Sequence, residues 1–367
     1  MLATMLADQE LYHTFYDPIV SVTALPWLIF TIVKMLIVFT VLMVGVAMLT
    51  LAERKISAWI QDRIGPNRTG YGGLLQPAAD GLKNIMKEET YPDAAYTPLF
   101  ILAPMLSFIP ALITFAVIPF AAPLSTRWGL VEMSVADLPI GFLYILAISS
   151  LGVYGIVLGS WSSSNRYSLL GGLRSTAQMI SYELSLGLSI VAVVLLAGTL
   201  SPMGIVAAQN HAGLSWFALL QPIGFLLFVV GGFAETNRAP FDLAEAEQEL
   251  VGGYHTEYAG MRFALYYMSE YINMVTVSAL VTTLFLGGWV GIGNGILFTL
   301  TTAAPWYQMI GVFWFFFKTL TFLFFYFWIR ATLPRIRYDQ LMWFGWKIML
   351  PLAVLNMLAT ALYVSLS

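Results

Sequence analysis

The segment WLIFTIVKMLIVFTVLMVGVAMLTLA, residues 27–52, contains a single charged side chain, that of Lys34. A helix crosses the hydrocarbon core of a bilayer with about 20 consecutive apolar residues. The segment is long enough to do so, and it therefore predicts a membrane-spanning helix. The rest of the chain has the same character: 59% of its residues are hydrophobic, 10% are charged, and the mean hydropathy is +0.79. Soluble domains carry about 25% charged residues.

We therefore predict an all-α polytopic membrane protein with about eight transmembrane helices and a surface amphipathic helix. The predicted spans are 27–52, 96–120, 138–160, 175–198, 216–236, 259–287, 306–329 and 342–364. Residues 1–26 are predicted to form an extramembrane tail, because they lack the Lys or Arg that begins a secretory signal. Residues 27–364 are predicted to form a single integral domain.

Basic residues indicate the orientation. Thirteen Lys or Arg residues fall on one side of the predicted membrane and one, Arg127, falls on the other. Because cytoplasmic loops carry the excess of positive charge, both termini are predicted to lie outside. The cytoplasmic loops are then 53–95, 161–174, 237–258 and 330–341.

Composition limits the chemistry of the chain. It has no cysteine, three histidines and a net charge of −3. These numbers exclude iron–sulfur ligation and a cysteine-based zinc site, and they give no basic field for nucleic acid. We expect no metal or flavin to be bound by this chain, so any electron transfer would belong to a partner.

The first cytoplasmic loop is predicted to contain the amphipathic helix. Within 74–90, apolar and polar residues alternate with the period of a helix that lies along the membrane surface. An interfacial anchor is the simplest interpretation. Glu53, Arg54 and Arg63 lie just before it, where basic side chains usually meet lipid phosphates.

The second cytoplasmic loop is strongly acidic. Asp242, Glu245, Glu247 and Glu249 place four carboxylates within eight residues. Asp242 and Glu245 have the spacing of a helix N-cap and its reciprocal partner, which explains that pair but not the other two. Such a cluster either finds basic partners, remains a solvated acidic face, or holds protons near neutral pH.

Charged residues also occur inside the predicted spans. Glu183 and Glu270 lie roughly 14–17 Å deep at 1.5 Å per residue, Glu235 ends the fifth span, and Lys34 and Lys318 lie within the first and seventh. A charge at a helix centre costs about 2.5–3.5 kcal/mol. Two hypotheses explain them: static salt bridges between the helices, or a protonatable route through the bilayer. Hydroxyl and amide neighbours of Glu183 and Glu270 favour the second.

Several motifs together resemble those of one family, the membrane subunit of respiratory complex I that is called the H subunit in bacteria. They are GLLQPAADGLKNIMKE at 73–88, PFDLAEAEQELVGGY at 240–254, GPNR at 65–68, SLLGGLRS at 168–175, ISYEL at 180–184, LFLGGW at 284–289 and IRYDQL at 336–341. The resemblance covers about residues 27–364.

The resemblance implies a subunit without a redox centre of a proton-translocating NADH:quinone oxidoreductase, in a bacterial inner (plasma) membrane. Ubiquinone or menaquinone would reach a tunnel in this subunit, and no catalytic residue would lie in this chain. The implied quinone-binding residues are Glu53, Arg54, Arg63, Arg238, Phe241, Asp242, Glu245, Glu247 and Glu249. The implied coupling carboxylates are Glu183, Glu235 and Glu270.

The resemblance also implies the partners. They are hydrophilic-arm subunits that carry the terminal iron–sulfur cluster, small membrane subunits, antiporter-like subunits and lipid, without nucleic acid. Three alternatives stay open: the homologous membrane subunit of a hydrogenase or formate-lyase complex, a free-standing ion transporter, and a structural anchor. An anchor explains the basic loops but not Glu183 or Glu270.

Overall fold

A computed structural model of the chain describes residues 24–126, 129–209, 216–243, 251–291 and 305–366. Within these ranges the regular secondary structure is helical apart from one short antiparallel hairpin, formed by β1 (Leu124–Thr126) and β2 (Gly129–Val131). The helices are α1 Ala24–Ile60, α2 Gln76–Met86, α3 Thr97–Thr114, α4 Gly141–Ser162, α5 Arg166–Ala197, α6 Pro202–Ala208, α7 Phe217–Leu220, α8 Pro222–Glu235, α9 Gly260–Phe285, α10 Pro305–Thr332, α11 Tyr338–Phe344 and α12 Leu350–Leu366. A π-helical turn, Gly345–Met349, joins α11 to α12.

The predicted fold class, an α-helical polytopic membrane protein, is confirmed. Among the described residues, six helical stretches are long and apolar enough to cross a membrane: Leu28–Ile60, Thr97–Val117, Gly141–Ser162, Arg166–Ala197, Ile310–Thr332 and Tyr338–Leu366. The other two predicted spans, 216–236 and 259–287, correspond to α8 and α9, which are not among these six stretches. With 14 residues, α8 extends about 21 Å, less than the ~30 Å hydrocarbon core. The count of eight spans, the orientation and the 1–26 tail stay predictions.

α9 is the central helix of the bundle. Nineteen of its 26 residues are buried, and it packs against α1, α2, α3, α6, α8 and α10. α5 forms a second centre through its contacts with α4, α8 and α12. Small residues allow close packing, as at Gly155 of α4, where an added Cβ would lie 2.7 Å from the backbone nitrogen of Ser107.

The predicted amphipathic helix exists as α2, shorter than the predicted 74–90. Its polar side faces α1, because Asp80 accepts a hydrogen bond from Arg54 at 2.7 Å. Leu82, Ile85 and Met86 are each more than half exposed on the other side. This arrangement leaves an apolar face for a bilayer surface or a partner.

Lys34 and Lys318, the lysines of the first and seventh predicted spans, bind backbone oxygens and not the buried glutamates. Lys318 Nζ donates to the carbonyls of Leu286, Gly288 and Val290, at 2.6, 3.0 and 2.6 Å. Lys34 Nζ donates to the carbonyls of Glu132 and Ser134. Lys318 thus caps the C-terminal end of α9, where carbonyls lack helical partners.

We expect Lys318→Met to lower the free energy of unfolding by about 3 kcal/mol, because it leaves three buried carbonyls without a donor. Thermal unfolding of the purified protein in detergent measures the loss. Lys347→Met, which changes an exposed side chain, is the control. Equal unfolding temperatures for the two variants would contradict the capping role.

Candidate functional site

A buried arginine lies between two buried carboxylates that come from distant parts of the chain. Arg238 Nη1 is 3.6 Å from Glu53 Oε1, and its Nη2 is 3.6 Å from Glu270 Oε2. The three side chains are 7–11% exposed. Glu53 comes from α1, Glu270 from α9, and Arg238 from the segment that follows α8. Because the two distances are equal, neither carboxylate alone holds the guanidinium.

Aromatic and basic side chains complete this group, which we call the Arg238 cluster. The Arg238 guanidinium lies over the ring of Tyr271, 4.3 Å from its centroid, and the Tyr271 hydroxyl donates to Glu53. Arg330 of α10 forms an ion pair with Glu53. The remaining members are Tyr267, whose hydroxyl is 2.9 Å from that of Tyr271, and Tyr254, whose hydroxyl donates to Glu270 at 2.8 Å.

One glutamine holds the backbone on both sides of Arg238. The Gln178 amide of α5 donates to the carbonyls of Ala234 and Phe241, both at 2.9 Å, and to the side chain of Asn237 at 3.2 Å. Asn237 has a φ of 48°, which asparagine tolerates better than most residues. This clamp places the arginine where the chain leaves α8.

Asp242 connects the cluster to the second loop. Its carboxylate accepts a hydrogen bond from Arg335 at 3.0 Å. The pKa of Asp242 is raised to about 6, and burial is the main cause. Glu270 also raises this pKa, while Arg335 and Arg238 oppose the increase. The carboxylate therefore changes charge close to neutral pH.

Two other acids form a separate pair. The carboxylates of Glu183 in α5 and Glu235 at the end of α8 interact electrostatically. Glu183 also accepts a hydrogen bond from the Ser150 hydroxyl of α4. Glu270, the third acid predicted to couple with them, lies in the Arg238 cluster instead.

The other predicted quinone-binding residues lie in different places. Phe241 is buried, with its ring 5.9 Å from that of Tyr182. Arg54 is exposed and forms an ion pair with Asp80. It points away from the Arg238 cluster because neighbouring positions of a helix point about 100° apart, and the preceding residue, Glu53, faces that cluster. Arg63 is exposed and donates to the Gln61 side chain. Glu245, Glu247 and Glu249 fall outside the described residues. The predicted capping pair of Asp242 and Glu245 therefore stays a prediction.

Sequence reasoning missed Arg330 and Tyr254 as members of the site. Arg330 was used only as one of the basic residues that indicate the orientation, because its partner Glu53 lies 277 positions earlier in the chain. Tyr254 ends the acidic-loop motif and gave no signal of its contact with Glu270. Among the described residues, no three His, Asp or Glu side chains come together as metal ligands.

Two comparisons with known proteins point to one family. The family described as NADH dehydrogenase matches residues 33–361. An H subunit of NADH-quinone oxidoreductase from Geobacter metallireducens is 51% identical over 327 residues, 89% of this chain and 94% of that protein. The H subunit from Frankia casuarinae is 48% identical over 365 residues, 97% of this chain and 76% of that protein.

The chain belongs to the H-subunit family of complex I. The predicted resemblance is therefore confirmed. It follows that the chain is a multi-pass membrane subunit of a multisubunit NADH-quinone oxidoreductase, whose other subunits are its partners and whose substrate is a quinone.

We expect Arg238→Met to lower the free energy of unfolding by about 3–5 kcal/mol, because it leaves Glu53 and Glu270 buried without the cation that they share. Arg54→Met is the matched control, since its ion pair is exposed and is worth at most about 1 kcal/mol. Thermal unfolding of the detergent-purified complex compares them. Similar losses for both variants would show that the cluster does not depend on Arg238.

Asp242→Asn should gain stability relative to the wild type as the pH rises. The folded pKa of Asp242 is about 6, above its ordinary 3.8, so the protonated carboxyl favours folding and this contribution is lost as the pH rises through 6. Between pH 5 and 7.5 the difference should move by about 1 kcal/mol in favour of asparagine. Unfolding temperatures at the two pH values measure it, with Asp339→Asn, at the exposed surface, as the control. A constant difference would contradict the shift.

Proposed function

We propose that this chain forms the membrane side of the quinone site of complex I and transmits the effect of quinone reduction to buried carboxylates. The observation that carries the proposal is the position of Arg238, shared between Glu53 and Glu270 and close enough to Asp242 to affect its titration. Phe241, Asp242 and Glu53 are the described residues that we assign to the wall facing the quinone.

The shared arginine gives the cluster two arrangements. At 3.6 Å and an effective dielectric constant of 20, each attraction is about 5 kcal/mol before desolvation. A proton on either glutamate removes one attraction and leaves the guanidinium with the other. Negative charge on a reduced quinone near Asp242 would favour that protonation, because like charges oppose ionisation. Arg238 then moves toward the carboxylate that remains ionised.

Glu235 and Glu183 carry the change further along the membrane. Glu235 ends α8 only three residues before Arg238, and its carboxylate interacts with that of Glu183. Because like charges repel, a change in charge at either carboxylate changes the electrostatic potential at the other. Antiporter-like subunits would receive this signal, in a bacterial inner membrane.

Two observations favour this proposal over the alternatives. The relatives named as H subunits of NADH-quinone oxidoreductase are about half identical over most of the chain, which favours the quinone form over a hydrogenase or formate-lyase subunit. The Arg238 cluster opposes a purely structural anchor, because buried ion pairs contribute little net stability. The residues that the resemblance assigned to the quinone include Arg54 and Arg63, whose exposed positions suit a partner subunit's surface.

Glu270→Gln and Glu183→Gln test the proposal in the reconstituted complex. We expect each to lower the number of protons pumped per quinone reduced about fivefold or more, because glutamine keeps the volume and removes the titration. NADH oxidation and acidification of proteoliposomes, recorded together, give the ratio.

Glu257→Gln is the matched control. Its carboxylate accepts a hydrogen bond from Asn165 at 2.6 Å, which glutamine can also accept, and it lies before α9. This variant should pump as the wild type does. Wild-type ratios for both Glu270→Gln and Glu183→Gln would overturn the coupling role, and equal loss in all three would point to assembly.

A further inference from the structure

The two oxygens of the Glu270 carboxylate contact residues on either side of the acidic stretch in the second predicted loop. Oε2 is 3.6 Å from Arg238 Nη2, and Oε1 accepts a hydrogen bond from the Tyr254 hydroxyl at 2.8 Å. In the sequence, Arg238 precedes the four clustered acids of 242–249, and Tyr254 follows them. One carboxylate on α9 therefore ties together the chain before and after that cluster.

The main chain of Tyr254 is fixed on α5. Its carbonyl accepts a hydrogen bond from the Ser168 hydroxyl at 2.9 Å. A Cβ added to Gly171 would lie 2.8 Å from the backbone nitrogen of Tyr254 and from the Cα of Gly253, so the chain packs directly on the helix there. Gly253 has a φ of 65°, which glycine adopts without strain. The tyrosine therefore starts from a defined position.

The ring of Tyr254 is fixed as well. It is almost fully buried and packs edge-on against the ring of Tyr266 in α9, with centroids 5.3 Å apart and planes 77° apart. Tyr266 lies four residues before Glu270, on the same face of α9. Its own hydroxyl donates to the Gly155 carbonyl of α4 at 3.0 Å. The Tyr254 hydroxyl is thus held in place at Glu270 by contacts with two helices.

We propose that Tyr254 is a positioning residue that selects which oxygen of Glu270 faces Arg238. The inference rests on the proposed function, because it concerns how a proton on Glu270 releases the arginine. The hydrogen bond to Oε1 limits rotation of the carboxyl group about its last single bond. Oε2 therefore stays turned toward the guanidinium.

The identity of this oxygen matters because a guanidinium has donors and no acceptor. When Glu270 binds a proton in the proposed mechanism, Oε1 still accepts the tyrosine hydrogen, and the new proton lies on Oε2. An O–H group that faces a guanidinium finds no acceptor there, so Arg238 turns to Glu53. Without the tyrosine hydroxyl, the carboxyl group is free to rotate by half a turn and to present its unprotonated oxygen to Arg238. The proton then no longer releases the arginine.

Other charged groups also act on Glu270, and they stay unchanged when only the tyrosine hydroxyl is removed. Asp242 interacts with it electrostatically. Beyond Arg238 lie Glu53 of α1 and Arg330 of α10, which form an ion pair. A variant without the hydroxyl therefore isolates the contribution of one hydrogen bond from that of the surrounding charges.

Tyr254→Phe in the reconstituted complex tests the inference, because phenylalanine keeps the ring contacts and removes the hydroxyl. We expect the number of protons pumped per quinone reduced to fall about twofold or more. The pH profile of this ratio should move upward by about 0.5–1 pH unit, because a hydrogen bond donated to a carboxylate favours its ionised form. Acidification of proteoliposomes and NADH oxidation, recorded together across pH, give the profile.

Tyr258→Phe is the matched control. Its ring is also buried and packs edge-on against Tyr266, with centroids 5.1 Å apart, but its hydroxyl donates to the Gly159 carbonyl. This variant should keep the wild-type ratio and profile. An equal change in both variants would overturn the inference, since aromatic packing would then be the cause.

A double variant checks that the hydroxyl acts through Glu270. Tyr254→Phe combined with Glu270→Gln should pump no fewer protons per quinone than Glu270→Gln alone, and a further loss would overturn the inference.

The remaining outcomes separate the inference from the proposed function. A wild-type ratio and profile in Tyr254→Phe overturn the inference alone if Glu270→Gln still loses pumping, whereas retained pumping in Glu270→Gln and Glu183→Gln overturns the proposed function. Failure of Tyr254→Phe to assemble also overturns the inference, because the hydroxyl would then be structural.

Discussion

The cost of placing charge in a low-dielectric interior determines how this bundle is arranged. An isolated buried carboxylate would lose its hydration without compensation, and Arg238 is the cation that Glu53 and Glu270 share inside the protein. That requirement brings α1, α9 and the segment after α8 to one place. The central position of α9 follows the same logic, since most of its surface is covered and its polar groups must find partners within the bundle.

Sequence periodicity and hydropathy predicted the elements but not their partners. The apolar runs located every long helix, and the alternation near residue 80 located α2, because both are local properties of the chain. Glu53 and Arg238 lie 185 positions apart in the sequence, so no local pattern predicts their pairing. Arg54 shows the same limit: its charge suggested a role beside Glu53, but the helix turns it toward Asp80. Lys34 and Lys318 were expected to pair with glutamates or to join a relay, whereas in the structure they donate to backbone carbonyls.

The buried acids also differ in their surroundings, although they look alike in the sequence. Glu270 lies beside an arginine and a tyrosine hydroxyl, while Glu183 has a serine hydroxyl and the field of Glu235. Glu270 therefore faces a cation, whereas Glu183 faces another carboxylate.

The clamp formed by Gln178 has a consequence for which part of the site can move. Its single amide fixes the main chain before and after Arg238, so the peptide backbone there has little freedom to shift. What remains mobile is the set of single bonds between the arginine Cα and its guanidinium. Rotation about these bonds requires no movement of the main chain. In the proposed mechanism, the guanidinium therefore changes partners while its attachment point stays still.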